Sequence, residues 1–324
     1  MNSKSGQIIE SIDTLLKRLS LSRNTAPFEL LDAPDFPFAV SEEYVQMMKP
    51  REWFDPLLLQ VLPREDELCR VDGFLDDAVG DLSAMVSPGL IHKYRNRALY
   101  LINQSCFGNC RFCFRRNIYS KQVFGSSLMS DSVLDYLKKN SSVDELIISG
   151  GEPLLLSDEQ LAAFFKKVKE ISHIKTLRIH SRLPVTHPSR FTPQFYEVLS
   201  ELIHEKQCVL VLHVNHPQEI GEGCRRVIAQ MRKRGVLLFS QTVLMNMIND
   251  SVEVLASLFS SLVLIGVVPY YLHQLDRANG TAHFQVDEKA GKEIVKGLRE
   301  RLSGYAVPRY VRDVEGQRCK CVIM

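Results

Sequence analysis

Apolar residues recur through the later part of the chain in short aliphatic or β-branched runs. The runs cover residues 97–103, 144–150, 176–180, 208–213, 236–240 and 267–272. Runs of this kind are typical of strands that are covered on both faces.

Helical patterns lie between these runs, with apolar residues spaced along one face. The three clearest sets are Leu161, Phe164, Phe165 and Val168; Ile220, Cys224, Val227, Ile228 and Met231; and Leu255, Leu258, Phe259 and Leu262. The alternation gives six βα units with parallel crossovers. It predicts an α/β fold, an incomplete (β/α)6 TIM-like barrel. A full eight-stranded barrel would need more chain after residue 304.

The first 90 or so residues follow a different pattern. A helix is predicted near residues 8–21, followed by proline-rich and acidic segments around residues 26–38 and 63–67. We expect an N-terminal helical domain or arm over residues 1–90, a barrel over 91–304 and a C-terminal segment over 305–324.

Composition narrows the class of protein. The formal net charge of +2 gives no basis for binding nucleic acid or a membrane surface. No apolar run approaches the roughly 20 residues that span a bilayer, and the polar segment 1–6 is not a secretory signal. Eight cysteines, three of them clustered, suit a reducing, cytoplasmic compartment and a metal centre. Cys69, Cys208 and Cys224 are expected to be small buried hydrophobic residues.

The clustered cysteines are Cys106, Cys110 and Cys113, a CxxxCxxC motif just after the run 97–103. Three thiolates on one short loop can bind three irons of a four-iron four-sulfur cluster and leave the fourth iron open for chemistry. A zinc site would more usually pair two CxxC motifs or add histidines. Chance clustering of cysteines in a loop is the remaining alternative.

The cysteine spacing resembles the radical S-adenosylmethionine superfamily. The surrounding motifs are similar to the lysine 2,3-aminomutase family, and within it to the short bacterial branch that makes β-lysine for elongation factor P. The similarity extends from about residue 88 to the C-terminus. The motifs that carry it are residues 92–97, 114–116, 149–155, 180–185, 213–217, 249–250, 269–273 and 303–308.

The resemblance implies that S-adenosylmethionine binds at the open iron. Its methionine end would meet the loop of Gly150, Gly151 and Glu152, where glycine lets the backbone come close. Further cofactor contacts are implied for Ser181, Arg182 and His213. Taken singly, residues 150–152 could form a tight turn, His180 and His213 could be satisfied strand-end histidines, and residues 249–250 could cap a helix.

A second cofactor, pyridoxal 5′-phosphate, is implied by Lys320, which falls where the family carries its cofactor lysine. Lysine suits this role because its amine can be exchanged for that of a substrate. Arg97 and Lys93 correspond to cofactor contacts, although Lys93 stands where arginine is common. From the residues alone, a solvated lysine of the tail is the favoured interpretation of Lys320, and only the resemblance reverses it.

Substrate binding is implied for Arg115, as a clamp on a carboxylate, and for Asp276 and Asp313, as acids that receive a distal ammonium. Two carboxylates in one pocket repel each other unless a cation lies between them, so a basic substrate is expected. Alternatively, Asp276 is a turn residue and Asp313 pairs with Arg309 or Arg312 at the surface.

The implied activity is an isomerase that moves the α-amino group of L-lysine to the β-carbon, with an electron donor such as flavodoxin or ferredoxin. The alternatives are an aminomutase for glutamate or arginine and a non-catalytic iron-sulfur or zinc protein. The chain stops four residues after Lys320, where relatives continue into a tail used for subunit contacts, so a homo-oligomer stays open. The ending at residues 321–324 fits the C-a-a-X rule, but a lipid beside the cofactor lysine is not expected.

Overall fold

The computed structural model describes residues 8–118, 123–125 and 129–324. The prediction that the polar segment 1–6 is not a secretory signal concerns residues outside these described ranges. No helix within the described ranges is long and apolar enough to cross a membrane.

Short strands and helices alternate through most of the chain. In chain order the strands are β1 (Ile8–Ile9), β2 (Val40–Ser41), β3 (Met85–Ser87), β4 (Leu90–Tyr94), β5 (Arg97–Asn103), β6 (Glu145–Gly150), β7 (Thr176–Ser181), β8 (Gln207–His213), β9 (Leu237–Val243), β10 (Val268–His273), β11 (Arg309–Arg312) and β12 (Cys321–Val322). The helices are α1 (Ile12–Arg18), α2 (Glu42–Val45), α3 (Pro56–Leu59), α4 (Asp131–Lys139), α5 (Asp158–Lys169), α6 (Leu183–Thr186), α7 (Pro193–Ile203), α8 (Glu222–Lys233), α9 (Val252–Ile265) and α10 (Glu288–Arg301).

One large sheet holds ten of the described strands, in the order β12-β11-β10-β9-β8-β7-β6-β5-β4-β3. Neighbours from β5 to β11 are parallel, and β3, β4 and β12 extend the two edges in antiparallel fashion. Helices separate each parallel strand from the next, so the described chain contains the six predicted βα units. The incomplete barrel is therefore confirmed, and β11 adds a seventh parallel strand that the sequence pattern did not indicate.

Strand residues alternate between a helix-covered face and an inner face. In β7, Leu177 and Ile179 are buried in the apolar core, whereas Arg178 and His180 line a central cavity. The same alternation places Ile147 and Ser149 of β6, Val211 and His213 of β8, and Tyr271 and His273 of β10 on the cavity wall. The parallel strands thus carry the core on one side and a polar interior on the other.

The helices bury the faces that their spacing predicts. Helix α5 begins with a capping box formed by Ser157 and Gln160, and its lysines lie in the last turn, where they suit the helix dipole. The apolar faces of α5, α8 and α9 are buried at the predicted positions: Leu161, Phe164, Phe165, Val168, Cys224, Val227, Ile228, Met231, Leu255, Leu258, Phe259 and Leu262.

The N-terminal region packs on the same core as the barrel. Helix α1 is shorter than predicted, because residues 8–9 form β1 instead of a helical turn. Its buried residues Ile12, Leu15 and Leu16 belong to the apolar cluster that also contains the barrel strands. The division of the chain at residues 90 and 304 stays a prediction.

One expectation, the burial of Cys69, and one alternative, a helix cap at residues 249–250, are wrong. Cys69 is exposed, because it follows a short 3-10 helix at the surface, whereas Cys208 and Cys224 are buried as predicted. The cap of α9 is the Ser251 hydroxyl, which accepts a hydrogen bond from the Val254 N–H at 3.2 Å. Asn249 is buried instead, and its side chain bonds the backbone of three other residues: Met245, Asn215 and Val243.

Candidate active site

All the candidate site residues chosen from the sequence line one cavity of about 350 Å³. The cavity is bordered by the ends of β5 to β10 and the loops that follow them, where parallel βα folds place their active sites. The residues that it brings together are Cys106, Cys110, Cys113, Gly150, Gly151, Glu152, Ser181, Arg182, His213, Lys93, Arg97, Arg115, Asp276, Asp313 and Lys320.

The cysteine loop follows β5 and presents three partly buried cysteines, none of them in a disulfide, to this cavity. Burial, followed by the neighbouring Cys110, raises the pKa of the Cys113 thiol to about 11. The thiolate form therefore needs a positive partner at this position. Within the described residues no three Cys, His, Asp or Glu side chains are grouped closely enough to share one metal ion. In an iron-sulfur cube, by contrast, each thiolate binds a different iron.

Gly150 and Gly151 bring the loop after β6 against the segment that enters the cysteine loop. Gly150 has φ +122°, and a Cβ on it would lie 2.6 Å from the Asn103 carbonyl oxygen. A Cβ on Gly151 would lie 2.4 Å from the Ser105 carbonyl oxygen. The Gly151 and Glu152 N–H groups bond those same two carbonyls at 2.8 and 2.7 Å. These glycines therefore fix the entry of the cysteine loop, a role that the sequence reasoning did not assign to them.

Both carboxylate oxygens of Glu152 are occupied by donors of the protein. One accepts from the Ser181 hydroxyl at 2.7 Å, and the other accepts from the Arg182 N–H at 2.8 Å and the Leu183 N–H at 3.1 Å. Burial raises the pKa of Glu152 to about 7, against the effect of these hydrogen bonds. Glu152 and Ser181 thus shape the loop after β7, and their contact with a cofactor stays a prediction.

The Arg182 guanidinium is buried behind the cysteine loop. Its Nη1 donates to Cys110 Sγ at 2.6 Å, and its Nη2 donates to Glu219 at 2.5 Å, Tyr44 at 2.8 Å and Gln60 at 2.8 Å. Burial opposes the charge, but Cys110, Tyr44 and Glu219 raise the pKa of Arg182 well above its ordinary value. Arg182 therefore stays cationic next to a thiol of the CxxxCxxC motif. The sequence reasoning missed all three oxygen partners.

Lys320 is held inside the cavity by Asp313. The Lys320 ammonium forms an ion pair with the Asp313 carboxylate, lies 5.9 Å from the centre of the Tyr271 ring, and has 24% of its side chain exposed. Asp313 also accepts from the Tyr94 hydroxyl at 3.3 Å. Lys320 is therefore not a solvated tail lysine. Asp313 makes no ion pair with Arg309 or Arg312 in the described structure.

Asp276 faces the same cavity, and no hydrogen bond or ion pair joins its carboxylate to a described residue. Burial, and next the Asp313 charge, raise the pKa of Asp276 to about 7. Asp276 and Asp313 thus meet in one cavity, and of these two carboxylates only Asp313 forms an ion pair within the described residues, with Lys320. A second cation would relieve the repulsion.

The Arg115 side chain lies beside a carboxylate that the sequence reasoning missed. Its Nε donates to Asp81 at 2.8 Å, and the Lys93 ammonium donates to the other oxygen of Asp81 at 2.6 Å. Arg97 packs over the Tyr94 ring at 4.3 Å and forms no ion pair with any acidic side chain that the structure describes. Arg97 is therefore the cation best placed for an anionic ligand group.

Three histidines line the interior in neutral form. Burial lowers the pKa of His213 to about 3, and its Nε2 lies 3.1 Å from Asn215 Nδ2. The Nε2 atoms of His180 and His273 are buried and have no hydrogen-bond partner in the described part of the chain. In the part of the chain that the structure describes, His213 is thus satisfied at Nε2, whereas His180 and His273 each present an unmet hydrogen-bonding nitrogen.

An open parallel barrel whose first strand leads into a CxxxCxxC loop defines a radical S-adenosylmethionine protein, and a family model described as the Radical SAM superfamily matches residues 100–258. The chain is 38% identical to the L-lysine 2,3-aminomutase of Buchnera aphidicola subsp. Baizongia pistaciae, over 97% of this chain and 92% of that protein. It is 39% identical to the L-lysine 2,3-aminomutase of Escherichia coli, over 88% of this chain and 82% of that protein. The chain therefore belongs to the L-lysine 2,3-aminomutase family.

Among solved structures, coproporphyrinogen III oxidase from Escherichia coli, described as a radical SAM enzyme, aligns with a TM-score of 0.40 at 13% identity. The alignment covers 63% of this chain and 52% of that chain. Family membership implies a four-iron four-sulfur cluster and S-adenosylmethionine. Three cysteines outside any disulfide, on one cavity-lining loop, fit that cluster.

Proposed function

We propose that this protein is an isomerase that converts L-lysine to β-lysine by moving the amino group from the α-carbon to the β-carbon. The observation that carries the proposal is the single cavity that joins the three cysteines, Lys320 and the two carboxylates of Asp276 and Asp313. The family relationship supplies the reaction class, and the cavity supplies the charges that a lysine side chain needs.

The cofactors that we propose are a four-iron four-sulfur cluster on Cys106, Cys110 and Cys113, S-adenosylmethionine beside the Gly150–Gly151 loop, and pyridoxal 5′-phosphate on Lys320. When bound, a reduced cluster and S-adenosylmethionine would together supply a 5′-deoxyadenosyl radical, and pyridoxal phosphate would supply a π system for the migrating nitrogen. The pyridoxal phosphate proposal is supported by the lysine amine inside the cavity and by Arg97, a cation that forms no ion pair with a carboxylate among the described residues. An electron donor such as flavodoxin or ferredoxin would reduce the cluster.

Two groups of residues bind the two ends of the substrate. Arg115 meets the carboxylate, because a guanidinium can bind both oxygens at once. Asp276, whose carboxylate has no hydrogen bond or ion pair to a described residue, and Asp313 receive the distal ammonium, because a desolvated cation needs carboxylates to replace its water. A glutamate substrate would instead bring a further negative charge against both acids.

The test begins with protein that is purified anaerobically and analysed for iron, sulfide and pyridoxal phosphate. The loaded protein is then given S-adenosylmethionine and a reductant with lysine, arginine or glutamate in separate reactions, and the amino acids are identified by chromatography and mass spectrometry. We expect iron and sulfide in the ratio of a four-iron cluster, bound pyridoxal phosphate, and β-lysine from lysine. Faster turnover of glutamate or arginine would establish the alternative aminomutase. Metal without turnover would indicate a binding protein.

We further propose that the reaction takes place in the cytoplasm and that its β-lysine serves the modification of elongation factor P. Support comes from the cysteines, none of which forms a disulfide in the described structure, and from the resemblance to the short bacterial branch. The test compares the mass of elongation factor P from cells with and without this protein. If the mass of elongation factor P is the same with and without this protein, its β-lysine does not serve that modification.

A further inference from the structure

Asp81 is a buried carboxylate that holds two cations of the active-site cavity. The residue is 3% exposed. Its Oδ2 accepts from Arg115 Nε at 2.8 Å, and its Oδ1 accepts from Lys93 Nζ at 2.6 Å. All three side chains line the cavity. One carboxylate therefore connects two residues that the sequence assigned to different ligands.

Several contacts fix Asp81 in this position. Its own N–H and that of Leu82 donate to the Asp77 carboxylate at 2.9 and 2.7 Å, so the backbone of this turn is pinned. Lys93 donates a second hydrogen bond, to the Val79 carbonyl at 2.7 Å. Burial opposes ionisation, but Arg115 and Lys93 lower the pKa of Asp81 below its ordinary value. Asp81 is therefore a fixed negative charge.

The orientation of Arg115 follows from this arrangement. Its guanidinium carbon lies 4.4 Å from the centre of the Phe114 ring, and its Nε–H donates a hydrogen bond to Asp81. Any bidentate grip on a further carboxylate must then use the outer edge of the guanidinium, formed by Nη1 and Nη2. Lys93 uses two of its three N–H bonds on Val79 and Asp81, so much of its donor capacity is spent inside the protein.

We propose that Asp81 is a positioning residue that orients the Arg115 guanidinium toward the substrate carboxylate, and that the ion pair with Lys93 keeps Asp81 in place. This inference rests on the proposed function and deepens it. It assigns Lys93 to the substrate end of the site through Asp81, in place of the direct cofactor contact expected from the sequence.

Two physical effects of Asp81 have opposite signs. As a negative charge next to Arg115, it weakens the attraction of the site for a carboxylate. As a positioning group, it removes the need to order a flexible arginine during binding, which strengthens carboxylate binding. Coupling energies between contacting groups correspond to changes of up to about 100-fold, so either effect is measurable. Positioning of Arg115 is the larger of the two effects.

The experiment measures equilibrium binding to anaerobically reconstituted protein loaded with pyridoxal phosphate. No reductant or S-adenosylmethionine is added, so no turnover occurs. Two probes are titrated by calorimetry: L-lysine, and L-lysinamide, which lacks the carboxylate charge. The variants are Asp81→Asn, Lys93→Gln and, as an exposed control, Asp72→Asn. Far-UV circular dichroism and iron content verify that each variant is folded and loaded.

We expect Asp81→Asn to weaken L-lysine roughly tenfold and to change L-lysinamide by less than about twofold. Lys93→Gln, at a more exposed position, should lower the affinity for L-lysine in the same way but by less. If Asp81→Asn does not fold, the result for Lys93→Gln decides the question. The control leaves both probes unchanged. Unchanged or tighter lysine binding by the variants, or parallel loss of both probes, overturns the positioning role. Failure of the unaltered protein to bind lysine refutes the proposed function instead.

Discussion

Replacing Asp276 by Asn tests the substrate pocket through two quantities that should move in opposite directions. Burial and Asp313 raise the pKa of Asp276 from the ordinary 3.8 to about 7. At about 1.4 kcal/mol per pKa unit, this difference corresponds to roughly 4 kcal/mol of strain on the ionised carboxylate in the empty cavity. Asn keeps the shape of the side chain and removes the charge.

The sign of the pH effect follows from linkage. Because the folded pKa lies above the unfolded one, the folded state retains a proton that the unfolded state has lost between pH 4 and 7. As the pH rises from 4 to 7, the free energy of unfolding of the unaltered protein therefore falls relative to that of Asp276→Asn, by up to about 1.4 kcal/mol per pH unit. The difference levels off above pH 7. Urea unfolding of the cofactor-free protein from pH 5 to 8 measures it.

Lysine turnover should change in the other direction. Removing one partner of a buried charge pair costs about 2 to 5 kcal/mol, which corresponds to roughly 30-fold to several thousand-fold in kcat/KM. Asp276→Asn should therefore be the more stable protein and the poorer enzyme, with unchanged iron and pyridoxal phosphate content. Asp72→Asn, at an exposed position, is the matched control. Full lysine activity in Asp276→Asn, or an absence of the pH-dependent difference, would refute the reasoning.

Three further predictions concern the cofactors. Cys106→Ala, Cys110→Ala and Cys113→Ala should each lose cluster assembly while circular dichroism shows a folded barrel, because the thiols lie on a loop; cleavage of S-adenosylmethionine by the triple variant contradicts the cluster assignment. Lys320→Ala should keep its iron but no longer be labelled covalently by pyridoxal phosphate and borohydride, and a labelled peptide at another lysine of the unaltered protein would show that the assignment is wrong. Gly151→Ala places a Cβ 2.4 Å from a carbonyl oxygen at the entry of the cysteine loop, so it should lower unfolding free energy by about 1 to 3 kcal/mol and reduce iron retention; normal iron content in a less stable variant would separate the two effects.

The sequence was sufficient for the regular part of the fold. Aliphatic runs located β5 to β10 within one residue at each end, except that β9 extends three residues beyond its predicted C-terminal end, because strands covered on both faces leave little room for polar side chains. Strand β11 was missed because the segment Arg309–Arg312 is short and half charged, and it pairs only because β10 supplies an edge. The helix predicted at residues 8–21 was too long because β1 pairs with β2, a contact across more than 30 residues.

Site residues that belong to a local motif were predicted from the sequence. Site residues defined only by contacts between distant segments were missed. Cysteines, glycines and charged residues at strand ends were found because their spacing is local. Asp81, Glu219 and Gln60 became visible only through their hydrogen bonds to Arg115 and Arg182, residues distant in sequence. No local pattern distinguishes such a carboxylate or amide from a solvated one.

The hydrogen bonds around Arg182 limit how far this protein can be treated as a set of interchangeable modules. Tyr44 and Gln60, from the N-terminal region, share one guanidinium with Glu219 of the barrel and Cys110 of the cysteine loop. A barrel transplanted without residues 8–90 would leave that buried cation short of two oxygen partners, at about 1 to 3 kcal/mol for each buried group left unsatisfied. The N-terminal region is therefore part of the support for the cysteine loop, and any chimera built on this scaffold must carry it along.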